Sequence, residues 1–358
     1  MKKKSYFHRF YYIFVFWPFI PNLLYAQFEP ALSITPEQDQ QQVNSVSISS
    51  DGRLVVTCTD RPILWDAQTG EKIRTYHGHD GLLVNNIGPV VIYSSAFSND
   101  NRFLITGDDG FYAVVSDVNT GEVIFRCRSY DLYPLGFGML GVSFTPDGNK
   151  VLTGASNGAL QLWDVRTGDE LKRYRDRGGV QTLFILPDGN RAIIWRAGAV
   201  IIIDLQNDQN MESFSGAYPS LSSDGQILQI RSGNRLDGYR IQHWNMNNYT
   251  LLNEFPLESG QLIGTATISP DGHDFLLGAY TDLQATNVFN RTLYESATRN
   301  SLRQYPVDRA SASNSPFSQD SIIKYFPNGR RFLTVNNGTV HIWDISDVVT
   351  KVEDAFLH

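Results

Sequence analysis

An all-β fold, a closed ring of seven four-stranded antiparallel blades, is predicted by three features of this 358-residue sequence. A turn signal recurs at Asp51-Gly52, Asp100-Asn101, Asp147-Gly148, Asp188-Gly189, Asp224-Gly225, Asp271-Gly272 and Asn328-Gly329. After each comes Trp-Asp or a decayed form: Trp65-Asp66, Ser116-Asp117, Trp163-Asp164, Ile203-Asp204, Trp244-Asn245, Phe289-Asn290 and Trp343-Asp344. The units are spaced roughly 36 to 57 residues apart, the period of a β-propeller blade. A length that would otherwise suggest two domains is therefore one ring.

Composition agrees. With 42% apolar and 12% aromatic residues the chain can bury a core, and only 19% charged residues suits short strands buried on both faces. Residues 1–26 read as a signal peptide: Lys2, Lys3 and Lys4, an apolar run from Phe10 to Ile20, then Leu24-Tyr25-Ala26 before the cut. Pro18, Pro21 and Asn22 interrupt the run, which argues against a membrane span. The expected destination is periplasmic or extracellular. Cleavage removes Lys2, Lys3, Lys4 and Arg9 and no acid, taking the formal charge from −7 to −11. So acidic a chain is a poor non-specific binder of nucleic acid or anionic lipid.

Residues 27–42 hold a linker and the segment Ala31–Pro36, assigned by strand count to complete the last blade and close the ring. Residues 43–350 are the propeller and 351–358 a tail. Blade 1 shows the unit: Val46 and Ile48 in strand a, a turn at Ser50-Asp51-Gly52, and Leu54 to Thr59 in strand b. Ile63 to Trp65 follow as strand c, Gln68-Thr69-Gly70 as a turn, and Lys72 to Tyr76 as strand d. Gly accepts the positive φ of these corners and Asp bonds backbone two residues on. The same grammar continues through Phe103–Thr106, Val151–Thr153, Ala192–Trp195, Ile227–Ile230, Phe275–Gly278 and Phe332–Val335 as the b strands of blades 2 to 7. Cys58 and Cys127 fall at different strand positions of neighbouring blades and read as buried free thiols.

Three segments carry a resemblance to a known family: Thr153-Gly154-Ala155-Ser156-Asn157-Gly158 through Leu162-Trp163-Asp164, Thr334 through Trp343-Asp344, and Gly78-His79. The chain resembles the WD40-repeat β-propellers over residues 43–346, strongly in blades 1, 3 and 7 and weakly in 4, 5 and 6. The resemblance implies a His–Ser/Thr–Trp–Asp network within a blade. Here no blade holds all four, because Gly78-His79 serves a blade with Ser116 in the Trp place.

Catalytic motifs resolve into turns. Gly154-Ala155-Ser156-Asn157-Gly158 fits G-x-S-x-G, but it lies in a b–c hairpin rather than a strand-to-helix elbow. His77-Gly78-His79-Asp80 has zinc-ligand types without a closing set, so no metal is expected. No Walker loop, dinucleotide fingerprint or paired-cysteine motif occurs, and no cofactor is expected. Asn248-Tyr249-Thr250, Asn290-Arg291-Thr292 and Asn337-Gly338-Thr339 match glycosylation acceptors and also read as turns.

Function is sought where the repeat is irregular. The a–b and c–d turns stay short, while Gly81–Val91, Arg128–Leu140, Ser232–Gly238 and about Ala297–Gln319 are long. All four are d–a or b–c connections, which emerge on one face of a propeller. Such one-sided growth marks a binding face. Tyr130, Tyr133 and Phe137, Arg231, Arg235 and Asp237, and Arg303 and Tyr305 are its candidate contacts: the aromatics of Arg128–Leu140 read as plugs of the ring's mouth or as partner anchors, and the blade 5 charges as contacts or as a solvated turn. The leading expectation is a monomeric, non-catalytic scaffold for an unidentified protein partner. A small-ligand binder or sensor using the central mouth is the alternative, and an enzyme a third.

Overall fold

The computed structural model describes residues 29–36, 42–79, 90–129, 138–174, 178–234, 237–257, 262–281, 288–298, 300–305, 322–336 and 338–348. Within them the chain begins with β1 (Leu32–Ile34). Blade 1 is β2 (Ser45–Ile48), β3 (Leu54–Cys58), β4 (Pro62–Asp66) and β5 (Lys72–Thr75). Blade 2 is β6 (Ile92–Phe97), β7 (Phe103–Asp108), β8 (Tyr112–Asp117) and β9 (Val123–Arg128). Blade 3 is β10 (Met139–Phe144), β11 (Lys150–Ala155), β12 (Leu160–Asp164) and β13 (Glu170–Arg173). Blade 4 is β14 (Thr182–Ile185), β15 (Arg191–Arg196), β16 (Ala199–Asp204) and β17 (Gln209–Ser215). Blade 5 is β18 (Ala217–Leu221), β19 (Ile227–Asn234), β20 (Gly238–Asn245) and β21 (Leu251–Pro256). Blade 6 is β22 (Leu262–Ile268), β23 (Asp274–Thr281), β24 (Val288–Glu295) and β25 (Ser301–Tyr305). Blade 7 is β26 (Ile323–Tyr325), β27 (Arg331–Asn336) and β28 (Thr339–Asp344), completed by β1.

The seven sheets are four-stranded antiparallel meanders, as the repeat predicts. Ring closure follows the strand count: Leu32, Ser33 and Ile34 pair with Ile342, His341 and Val340. No helix among the described residues is long and apolar enough to cross a membrane.

The core is not inside the blades but between them. Seven apolar clusters fill the seven blade-to-blade interfaces. The junction of blades 7 and 1, for example, joins Ile34, Phe326 and Leu333 to Val46, Val55 and Trp65. Period-2 alternation explains this, since each strand sends successive side chains to opposite neighbours. Ile34 and Val340 thus hold the first and last described strands together without a covalent link.

Two sequence assignments move. In blade 6 the tryptophan-aspartate position is Tyr294-Glu295, not Phe289-Asn290. Tyr294 and Glu295 pair with Phe275 and Asp274 just as Trp343 and Asp344 pair with Phe332 and Arg331. The cause is a longer b–c hairpin, with β23 and β24 eight residues each, which defeats counting from the turn. Asn290-Arg291-Thr292 accordingly sits in β24, with Arg291 and Thr292 buried, rather than in a turn. In blade 5 the supposed long connection Ser232–Gly238 is mostly ladder, with pairing reaching Asn234↔Gly238.

Candidate interaction face and central channel

One end of every blade is locked by local chemistry. At the a–b turn of blade 1 the Ser49 hydroxyl donates to Asp51 at 2.6 Å and accepts the Leu54 amide at 2.9 Å. The same hydroxyl–carboxylate pair recurs as Ser98–Asp100, Thr145–Asp147, Ser222–Asp224 and Ser269–Asp271. The Ser98 hydroxyl holds the Asp100 carboxyl below its ordinary range. At the c–d turn Asp66 accepts the Gln68 and Thr69 amides at 2.8 Å each, and Asp117, Asp164 and Asp204 do likewise. The Thr69 and Gln68 amides keep Asp66 below the usual carboxylate range. This end is largely uniform, with Leu186 and Phe326 in place of the hydroxyl in blades 4 and 7.

The b–c and d–a end is not. Arg231, within β19, lies 4.4 Å from the centroid of Tyr218 and 5.2 Å from that of Tyr239. Tyr218 packs in turn on Trp195 of blade 4 with centroids 4.6 Å apart. The result is a cation held between aromatic faces at a junction of two blades. Sequence reasoning found Arg231 and missed the three rings. The available signal was that Trp195 and Tyr239 flank b–c connections. Asp237 closes the blade 5 hairpin: its amide donates to Asn234 Oδ1 at 3.1 Å and its carboxylate accepts from Asn234 Nδ2 at 2.7 Å. Arg235 lies outside the described residues.

Arg303 and Tyr305 are not in the long insertion, which the sequence reading began at Ala297. Both belong to β25, the outer strand of blade 6. Arg303 pairs with Asp347 at 3.0 and 2.5 Å. Tyr305 is 4% exposed and packs edge-on against Phe332 and Trp343 in the junction with blade 7. Tyr305 is a core residue here, because strand pairing turns its ring into the interface.

Tyr130, Tyr133 and Phe137 lie outside the described residues, but the ends of their segment are fixed. The Ser129 amide donates to the Phe111 carbonyl at 3.0 Å, and the Gly138 amide to Ser156 Oγ at 3.1 Å. Gly138 has φ +99°, and a Cβ there would stand 2.3 Å from the Asp108 carbonyl oxygen. Only glycine fits. Ser156, the serine of the G-x-S-x-G match, is thereby a structural acceptor in a hairpin turn.

His79 makes the contacts of a blade junction. Its Nδ1 is 2.8 Å from Asp108 Oδ2 and its Nε2 2.7 Å from Thr106 Oγ1. Those distances match a nucleophile–base–acid chain, yet Thr106 is 3% and Asp108 0% exposed, so no substrate reaches the hydroxyl. Trp65, Trp163 and Trp343 donate Nε1 to Thr57, Thr153 and Thr334 at 2.9 to 3.0 Å. The four-residue network is therefore divided, with tryptophan and threonine in blades 1, 3 and 7 and histidine, threonine and aspartate in blade 2. Among the described residues no cluster of three or more His, Cys, Asp or Glu is placed to hold a metal ion. The inner strands enclose a central channel of about 790 Å³.

Comparison with known proteins points one way. The profile described as "WD domain, G-beta repeat" matches residues 31–61, 70–111 and 136–164. The WD repeat-containing protein SL1-17 of Schistosoma mansoni is 28% identical over 149 residues, 41% of this chain and 45% of that one. A guanine nucleotide-binding protein subunit beta of Oryza sativa subsp. japonica is 27% identical over 196 residues, 49% of this chain and 50% of its own. The serine-threonine kinase receptor-associated protein of Gallus gallus is 27% identical over 128 residues, 35% of this chain and 32% of its own. The chain spans half or less of the length of these curated relatives.

Proposed function

From the premise that this chain is a WD40-repeat β-propeller, we infer that it is an exported, non-catalytic protein-interaction scaffold. Its partner sits on the face carrying the d–a and b–c connections. One observation carries the reading: the a–b turns of five blades repeat one hydrogen-bond pattern and the c–d turns of four repeat another, while the irregular length falls at the other end. A surface kept uniform on one side and varied on the other is shaped for recognition on the varied side. Two of the relatives carry names that describe association, one a subunit and one receptor-associated. Export rests on the basic start, the apolar run and Leu24-Tyr25-Ala26. On this reading the Arg231–Tyr218–Trp195 cluster and the segment with Tyr130, Tyr133 and Phe137 supply the anchors.

The test is native co-purification from the envelope or culture fraction. Tyr133→Ala with Phe137→Ala, and separately Arg231→Glu, should abolish capture of a partner without lowering the melting temperature by more than a few degrees. Gln68→Arg with Asn119→Arg, on the turn face, should leave it unchanged. Loss only with the turn-face variant overturns the assignment of the face. N-terminal sequencing of the secreted chain should begin near Gln27, and an intact Met1 refutes cleavage.

A further inference from the structure

Independently of the scaffold reading, the central channel carries a charge arrangement that asks for a ligand. Strand register identifies one equivalent position in the inner strand of every blade, the residue paired with Val56, Ile105, Leu152, Ile193, Gln229, Leu276 and Leu333 in turn. Blades 1 to 6 place Ser47, Ala96, Ser143, Phe184, Ser220 and Thr267 there, and blade 7 places Lys324. All seven line the channel. Lys324 is the single lysine, arginine, aspartate or glutamate among the described lining residues.

The hydroxyls of this layer are used to join neighbouring blades. Ser47 Oγ donates to the Ser95 carbonyl at 2.7 Å, Ser143 Oγ accepts the Ile185 amide at 3.2 Å, and Ser220 Oγ meets Thr267 Oγ1 at 3.1 Å. Lys324 has no such partner: it makes no hydrogen bond or ion pair among the described residues. Its side chain is open to the channel's solvent but walled by protein around it. The protein around it pushes its ammonium below the ordinary lysine range, with the Cys58 thiol acting the other way. An ammonium facing neutral walls, with no counter-charge among the described residues, is free to take the carboxylate of an anion that enters the channel.

We propose that the channel binds a small organic monocarboxylate, its carboxylate on Lys324 and its apolar body against Phe184 across the ring. One ammonium compensates one negative charge, and the neutral remainder of the layer offers nothing to a second, which disfavours a phosphate dianion. Thr267, on the adjacent blade 6, has a hydroxyl position left beyond its contact with Ser220. A volume of about 790 Å³ lies in the range of small-molecule sites and far exceeds what a simple ion fills. Phe184, with Trp195 and Tyr218 also on the wall, supplies the apolar surface such a body needs.

The experiment titrates the full chain with benzoate, its neutral isostere benzamide, and inorganic phosphate, read by calorimetry and melting temperature. Benzoate should bind saturably and raise the melting temperature, and benzamide and phosphate should not. Lys324→Met should weaken benzoate at least about tenfold and Lys324→Arg should retain it. With 13C-methylated lysines, the resonance missing in Lys324→Met should titrate at higher pH once benzoate is bound, a shift that a remote effect on folding does not produce. Equal response to benzamide, undiminished binding by Lys324→Met, phosphate binding in place of benzoate, or no binding at millimolar concentration each overturns the proposal.

Discussion

Asp274→Asn should stabilise this protein in alkaline buffer and progressively cease to do so as the buffer is acidified. Asp274 opens β23, where the other blades place Leu54, Phe103, Lys150, Arg191, Ile227 and Arg331. It is 6% exposed, and its Oδ1 has no hydrogen-bond partner among the described residues. Directly across the ladder stands Glu295. Burial pushes the Asp274 carboxyl up to about 6 from 3.8; the Asp271 and Glu295 charges add to this and His273 opposes it. The folded chain thus holds a proton that the unfolded chain has released. Stability is lost as pH rises through the window from 3.8 to about 6, fully lost above it and intact below. At 1.36 kcal/mol per unit the gap amounts to about 3 kcal/mol. Between about pH 4.5 and about pH 8 roughly 2 kcal/mol of it is exposed. The assay is urea denaturation of both proteins at those two values. The variant should gain about 2 kcal/mol on the wild type from the lower to the higher pH, whatever its offset from shape. A difference independent of pH, or one of opposite sign, refutes the account of this carboxyl.

Three further outcomes follow from the packing. Ile34→Ala should cost roughly 2–5 kcal/mol, since it hollows the cluster that joins blade 7 to blade 1, and thermal melting measures it. Gly138→Ala should lower the melting temperature through a strained φ worth about 1–3 kcal/mol, with the clash on Asp108 in addition. Cys58 and Cys127 are buried free thiols, each pushed up to about 12 by burial. A thiol reagent at neutral pH should therefore label neither in the folded chain and both in denaturant.

Much of the ring was legible in the sequence because its turns are local. A Ser/Thr two residues before an Asp, with Gly or Asn next, contains every group the a–b corner bonds. Five blades show that hydroxyl–carboxylate pair. Closure by Ala31–Pro36 was legible from the strand count, since a blade short of one strand leaves an edge unpaired. Of the candidate contacts, Arg231 was legible as a charge near a connection, but its stacking on Tyr218 was not. Counting failed in blade 6, where a lengthened hairpin carried the marker to Tyr294-Glu295.

The sequence by itself therefore determined the blade, the number of blades and the end at which they vary, because each is set by residues within one hairpin of each other. Only the tertiary structure decided that Tyr305 is core, that Arg231 is caged by Tyr218 and Tyr239, and that Lys324 stands unpaired among the described residues of a neutral channel wall. These depend on neighbouring sheets facing each other across the ring. Ser47 and Lys324 share one layer of that channel because β1 pairs with β28 and closes the ring at blade 7, and no local pattern records which residues will then face each other.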